Sequence, residues 1–301
     1  MIALKVLGTL VLCLYFYSCV VAPDIFFLKN HNPELTQMMK YRIRQAKKAN
    51  REYVPKYRFV PLNQMSPYLV QAVLIAEDGS FYSHGGFDLR AIYDSFGNNL
   101  KRRKFAFGGS TITMQLAKNL YLNPKKSIFR KALEAMITFR LERNLSKARI
   151  LELYLNYIEW APQQYGANYA AYYYFNKSVS ELSKEEAVFL ATMIPAPLSY
   201  GYLKDNPYLR ERFIHVAYYM DLLHQTPIDL NYRFPDISDA QKQEETEIEP
   251  TIIFEMPQTL KIELNSTANV SANVTANATS KLNIHSFPDA LPTLKFKSPL
   301  Q

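Results

Sequence analysis

Cysteine is nearly absent from this chain. The two that occur, Cys13 and Cys19, fall inside one N-terminal apolar segment. The rest of the chain can build neither a disulfide framework nor a cysteine-based zinc site. Glycine is scarce as well, with 9 residues against 22 Tyr and 18 Phe, a balance that suits packed helices better than glycine-rich sheet turns. No convincing series of period-two strands appears, so the body reads as mostly α. A phosphate-binding loop of the form Gly-x4-Gly-Lys-Ser/Thr is also missing. Charge leans one way: the net value is +8 and the pI about 9.2. That excess suits nucleic acid, an anionic membrane surface or an anionic substrate, and does not choose among them. At 301 residues and 48% hydrophobic, the chain is expected to form one or two domains with a sizeable core.

Long apolar runs are limited to one. Val6 to Ala22 is free of charge, follows Lys5, and lies near the lower length limit for a membrane span. It predicts a transmembrane anchor over residues 1–22. A cleaved signal peptide and a lipoprotein cysteine at Cys19 are the alternatives. The first lacks a clear small-x-small cleavage site, and the second has bulky Phe16 and Tyr17 before the cysteine. Residues 23–58 follow as a basic stalk carrying Lys40, Arg42, Arg44, Lys47, Lys48, Arg51, Lys56 and Arg58. They read either as a solvated basic helix or as a surface lying on anionic headgroups.

Helix signals then recur. Ser66-Pro67 suggests an N-cap and a first-turn proline, opening a helix to about Glu77. A second helix is expected from Asp88 to about Leu100, followed by a basic turn at Lys101 to Lys104. Ser110 opens a segment to Leu122, Ser127 a long helix to about Leu145, and Ser146 the next. Ser183 with Glu186 forms a capping box, and a last helix runs from Pro207 to about Leu223. Residues 226–301 read as a low-complexity, disordered tail. Within it, Asn265, Asn269, Asn273 and Asn277 each begin an N-glycosylation acceptor pattern.

Four segments carry chemistry. Glu77 and Asp78 end an apolar helix beside a loop that contains Phe81, His84 and Gly86. A carboxylate so placed is partly desolvated, which raises its pKa as a general acid or base requires. Taken alone, such a pair is more often a solvated helix end. Next, Gly108-Gly109-Ser110-Thr111 leads into Gln115, Lys118 and Asn119. Backbone N–H groups at a helix start, followed by Lys118, Lys125, Lys126, Arg130 and Lys131, suit a phosphate or pyrophosphate. Third, Arg130 and Glu134 lie one helical turn apart, with Glu134 flanked by apolar residues. Fourth, Lys147 to Asn156 reads by itself as an amphipathic structural helix.

In this order, the four segments resemble the glycosyltransferase domain of penicillin-binding proteins and their monofunctional relatives (glycosyltransferase family 51). Its patterns are E-D-x-x-F-x-x-H-x-G-x-D, G-G-S-T-I-T-Q-Q-L-x-K-N, R-K-x-x-E and K-x-x-I-L-E-x-Y-L-N. The likeness covers residues 59–225, and Tyr157-Ile158-Glu159-Trp160 looks closest to the monofunctional branch, the biosynthetic peptidoglycan transglycosylases. It implies a lysozyme-like, mostly α domain that polymerises lipid II into peptidoglycan strands with inversion, releasing undecaprenyl pyrophosphate. By that resemblance Glu77 is the catalytic base and Glu134 the second essential carboxylate. Lys118, Lys126 and Arg130 lie near the donor pyrophosphate, and Lys131 binds substrate beside them. Ser110, Thr111, Gln115 and Asn119 line the site, and Asp78, Phe81 and His84 shape its loop.

The same resemblance implies lipid II and lipid-linked nascent glycan as substrates, the membrane and other cell-wall synthesis proteins as partners, and no nucleic acid. It implies no required cofactor, with a divalent cation (Mg or Mn) as an option, and no metal site among these residues. The expected location is the bacterial inner membrane, single-pass, with the catalytic domain on the periplasmic or extracytoplasmic side. Met114 departs from the family's first glutamine, and Ala161 and Gln163 stand where the monofunctional branch usually has glycines. Two other activities compete. A lysozyme-like glycan hydrolase also uses a helix-end glutamate, but has no pyrophosphate for the cations to hold. An inactive scaffold would not need both carboxylates. A transpeptidase domain is excluded, because neither Ser-x-x-Lys nor Lys-Thr-Gly occurs.

Overall fold

A computed structural model describes residues 2–93, 109–125, 127–198, 207–224, 228–230 and 232–235. Gly108, the basic turn at 101–104, Lys126 and the acceptor repeat in 265–280 lie outside the described residues. So does the predicted helix beyond residue 93, whose turn at 89–93 is helical.

Nine helices can be given bounds among the described residues. They are α1 (Ile2–Val21), α2 (Gln37–Lys48), α3 (Pro67–Glu77), α4 (Ile112–Tyr121), α5 (Ile128–Asn144), α6 (Lys147–Tyr157), α7 (Ala167–Phe175), α8 (Lys184–Met193) and α9 (Pro207–His224). The mostly α expectation holds. Several ends are set as the sequence suggests: Ser127 accepts the Arg130 N–H, Ser146 that of Arg149, and Ser183 with Glu186 closes a reciprocal box. Two ends differ. Thr111, not Ser110, caps α4. Ser66 makes no cap; its hydroxyl instead donates to Leu182 O at 3.1 Å, tying the start of α3 to the turn before α8.

Strands β1 (Lys56–Tyr57), β2 (Glu159–Ala161) and β3 (Gln164–Tyr165) form a small sheet in the order β1-β3-β2, with β1 parallel and β2 antiparallel to β3. Strands of two or three residues are too short to show a period of two.

Helix α8 is buried from Glu186 to Met193, as expected for a helix with apolar residues on every face. It packs on α3 and α9, while α4 packs on α5 and α6. These two groups hold the ends of α3 and α4 beside each other. Burial of each Leu or Ile here is worth about 1.5–3 kcal/mol.

The stretch expected to be a basic stalk is part of this packing. Met38, Met39 and Tyr41 of α2 join the core, as do Ile25 and Leu28. Arg42 is not solvated; it lies 2.9 Å from the buried carboxylate of Glu159, and that pairing holds its guanidinium firmly charged against burial. The packing therefore shows no break at residue 59. Helix α6 clamps the segment further: Arg149 donates to Leu28 O at 2.8 Å and to His31 O at 3.0 Å. Helix α1 packs on α5, where Arg140 donates to Ser18 O at 2.5 Å. Among the described residues, no helix is long and apolar enough to cross a membrane. The charge-free run in α1, Val6 to Val21, rises about 24 Å, short of the ~30 Å hydrocarbon layer.

Candidate active site

The apolar face of α3 (Leu69, Ala72, Val73, Leu74) is buried and carries Glu77 to the helix end. The Glu77 side chain keeps 9% exposure, so it meets the cleft while being largely desolvated. Burial raises its pKa; the charge of Arg212, a hydrogen bond from Gln115 and the charge of Lys118 pull it back only in part. Gln115 Nε2 donates to Oε2 at 2.7 Å, and Arg212 donates to Oε1 at 2.6 Å. Gln115 is itself oriented by the buried Tyr154 hydroxyl, 3.1 Å from its Oε1.

Arg212 was not singled out from the sequence. It sits on α9, far from every motif, and also reaches Ala76 O at 3.2 Å and Thr192 O at 3.3 Å. Its partners lie on α3 and α8, so no local pattern marks it.

Asp78 has a different role from its neighbour. Its Oδ2 accepts the Ile112 N–H at 3.0 Å, so it caps α4 across the loop. Thr111 accepts the Met114 N–H and donates to Gly86 O at 2.7 Å. The helix start proposed to receive an anion is thus already satisfied in part by the protein's own groups. The cations further along carry that capacity instead. Gly86 has φ +92°, and a Cβ there would lie 2.8 Å from both Glu142 Cγ and Thr138 Cγ2. Phe81 is buried, with the Lys147 ammonium 4.3 Å from its ring centre. Lys147 also bonds Glu142 at 2.8 Å, and Thr113 bonds the same carboxylate oxygen. Asn119 is buried, and its amide donates to Gln115 O at 2.9 Å, one turn back on α4.

Glu134 is 2% exposed on α5. Arg130 donates to its Oε2 at 2.7 Å, and Lys131 to its Oε1. Lys131 also reaches Ser110 Oγ at 3.0 Å. Nε of Arg130 is buried and has no hydrogen-bond partner among the described residues, a donor that an incoming anion can satisfy. Lys118 stands within the field of both carboxylates. Burial lowers its pKa, the charge of Glu134 raises it, Arg130 and Lys131 lower it, and Glu77 raises it. Lys118 therefore links the Glu77 side of the cleft to the Glu134 side.

Asp78, His84 and Asp88 bring ligand atoms within 4.8 Å of one another. His84 Nδ1 accepts the Gly86 N–H at 3.1 Å, which puts the ring proton on Nε2, 2.8 Å from Asp78 Oδ1. Asp88 accepts from Ala91 N–H and from Ser80. Each of these ligand atoms makes a hydrogen bond within the loop or to the start of α4.

Of the departures, Met114 is buried. Gln163 adopts φ +60°, the left-handed conformation that favours glycine, and its side chain accepts the Val54 N–H at 3.0 Å.

The family model described as Transglycosylase matches residues 43–221, taking in both carboxylates, the cations and Arg212. The chain is similar to the protein named biosynthetic peptidoglycan transglycosylase in Nitrosospira multiformis, 39% identical over 199 residues, covering 66% of this chain and 86% of that one. The protein of the same name in Chromobacterium violaceum is 39% identical over 211 residues, covering 70% and 92%. That of Dechloromonas aromatica is 44% identical over 169 residues, covering 56% and 73%.

Proposed function

This chain belongs to the transglycosylase family, and from that premise we propose how its cleft works. The protein is a peptidoglycan glycosyltransferase that polymerises glycan strands. In the proposed reaction the acceptor is lipid II and the donor is the lipid-linked growing strand. The acceptor 4-hydroxyl attacks donor C1 with inversion. Glu77 takes the hydroxyl proton; each carboxylate oxygen retains a lone pair beyond its bond to Arg212 or Gln115. A base whose pKa burial has raised is well matched to proton transfer near neutrality.

The C1–O bond breaks toward undecaprenyl pyrophosphate, and the charge that develops there meets Lys118 and Arg130. Lys126 has the same assigned role from its motif position. Glu134 holds Arg130 and Lys131 in place against their mutual repulsion.

One observation carries this reading: a desolvated base and a cation cluster with a buried, unpartnered Arg130 donor share one cleft. Hydrolysis of a neutral glycosidic bond gives such cations nothing to stabilise. The test is lipid II polymerisation by Lys118→Met beside hydrolysis of preformed glycan by the parent. Loss of one preorganised contact to developing charge costs about 2.7–4 kcal/mol, a fall of about 10²–10³ in rate. Normal polymerisation by the variant would remove the pyrophosphate role, and glycan cleavage by the parent would favour the hydrolase.

The lysozyme-like arrangement and the membrane setting belong to the same proposal. Val6, Leu7, Leu10, Phe16 and Val20 of α1 are exposed, Val20 at 75%. Such a face is stable in lipid and costly in water. A span a few ångström short is accommodated by local thinning or by the reach of Lys5 to the headgroups. The helix anchors the chain in the bacterial inner membrane, with the cleft outside the cytoplasm where lipid-linked substrates reach it.

A further inference from the structure

Between α1 and α5 runs an open groove of about 480 Å³. Its walls are apolar: Leu12 and Tyr15 from α1, Met136 and Phe139 from α5, and Phe87 from the loop after α3. Neither Glu77 nor any cation of the cleft lines it.

The groove adjoins the cleft on two sides. Phe87 follows Gly86, whose carbonyl is held by Thr111 at the start of α4. Ala135, also in the lining, follows Glu134, which Arg130 and Lys131 grip. Ala135 lies one helical turn from Lys131, so the groove wall and the positive charge are neighbours on the same face of α5. Cations beside an apolar groove are complementary to one kind of molecule: an amphiphile with an anionic head and a flexible hydrocarbon tail. A soluble nucleotide sugar or a bare glycan would use only the polar half.

We propose that this groove is a tail site that holds the head-proximal isoprenoid units of the prenyl pyrophosphate whose head lies at Lys118, Arg130 and Lys131. Residues of α1 thereby take part in substrate binding, and α1 does more than tether. The proposal rests on the pyrophosphate reading of the cation cluster. It adds that tail binding is done by protein side chains, not by bulk lipid alone.

The groove can be filled without disturbing the fold. Gly8 lines it, and a Cβ at Gly8 would meet nothing within 4 Å. Gly8→Leu therefore places a side chain in open space on a helical position that tolerates it.

The experiment uses the full chain in phosphatidylcholine nanodiscs, with a polyprenyl diphosphate carrying a diazirine near its head as photoprobe. Labelled residues are mapped by mass spectrometry. The affinities of the unlabelled prenyl diphosphate and of inorganic pyrophosphate are measured by displacement. Label on Leu12, Tyr15, Met136 or Phe139 is expected. In Gly8→Leu, affinity for the prenyl diphosphate is expected to fall at least tenfold while that for inorganic pyrophosphate stays the same. Ala135→Leu, entering from the opposite wall, is expected to do likewise. Label confined to other surfaces, or unchanged affinity in both variants, would overturn the tail site. So would equal labelling by a diazirine phospholipid that the prenyl diphosphate does not displace, because the groove would then hold ordinary bilayer lipid. A parent that fails to bind inorganic pyrophosphate would overturn the cation-cluster reading itself, and the tail site with it.

Discussion

Arg212 reaches the Glu77 carboxylate from α9 while its other bonds go to backbone carbonyls of α3 and α8. It both positions the base and opposes the pKa rise that burial imposes. The sign of its effect follows. Removing the cation leaves desolvation less opposed, so Glu77 holds its proton to higher pH. In Arg212→Met, the acid limb of the pH–rate profile is expected to move upward, and Arg212→Lys is expected to bring it most of the way back. An unmoved limb in Arg212→Met would show that the pair is only structural. Glu77→Gln keeps the shape and removes the base; polymerisation is expected to fall by about 10²–10⁴ with the circular dichroism of the parent. Activity within threefold would sink the assignment. Gly86→Ala must place a methyl 2.8 Å from Glu142 Cγ and Thr138 Cγ2 at φ +92°. A loss of about 1–3 kcal/mol is expected from such overpacking, read as a lower denaturant midpoint. Neither Arg212 nor the capping role of Asp78 was legible in the sequence, because each acts on partners distant along the chain. Glu77 at the end of an apolar helix and the Arg130–Glu134 pair one turn apart were legible from local spacing, and Gln115 only through the family resemblance.

At the scale of elements, capping chemistry made most helix starts readable: Ser127, Ser146 and Ser183 each hold the predicted N–H. Ser66 looked the same and does something else, because Leu182 O offers its hydroxyl a tertiary partner. Most cations of the basic stretch 23–58 are exposed, but its share in the core was not read from the sequence: Met38, Met39 and Tyr41 bury one face of α2. The fourth motif proved structural in detail. Asn156 accepts the Val60 N–H at 2.8 Å and donates to Val60 O at 2.9 Å, and Glu152 accepts the Leu62 N–H at 2.9 Å. Helix α1 touches the body chiefly through α5. Removing residues 2–22 is therefore expected to leave a folded domain with weak activity on bilayer-embedded substrate. An unfolded truncation product would place α1 in the folding core instead.

For the whole molecule, the family match ends at residue 221, before the polar, repeat-bearing C-terminal stretch. Deletion of residues 240–301 is expected to leave polymerisation by the purified protein unchanged, and a loss above tenfold would give the tail a part in the site. What unites the molecule is the placement of two packed helix groups so that a base on one faces cations on the other, beside a helix with an exposed apolar face. The most direct measurement is to incubate the full-length protein in detergent with lipid II, sizing the glycan and counting the undecaprenyl pyrophosphate released. Growing strands, with one pyrophosphate lipid freed for each bond formed and none by Glu77→Gln, are the predicted result. Glycan that shortens in water with no pyrophosphate lipid released would contradict it.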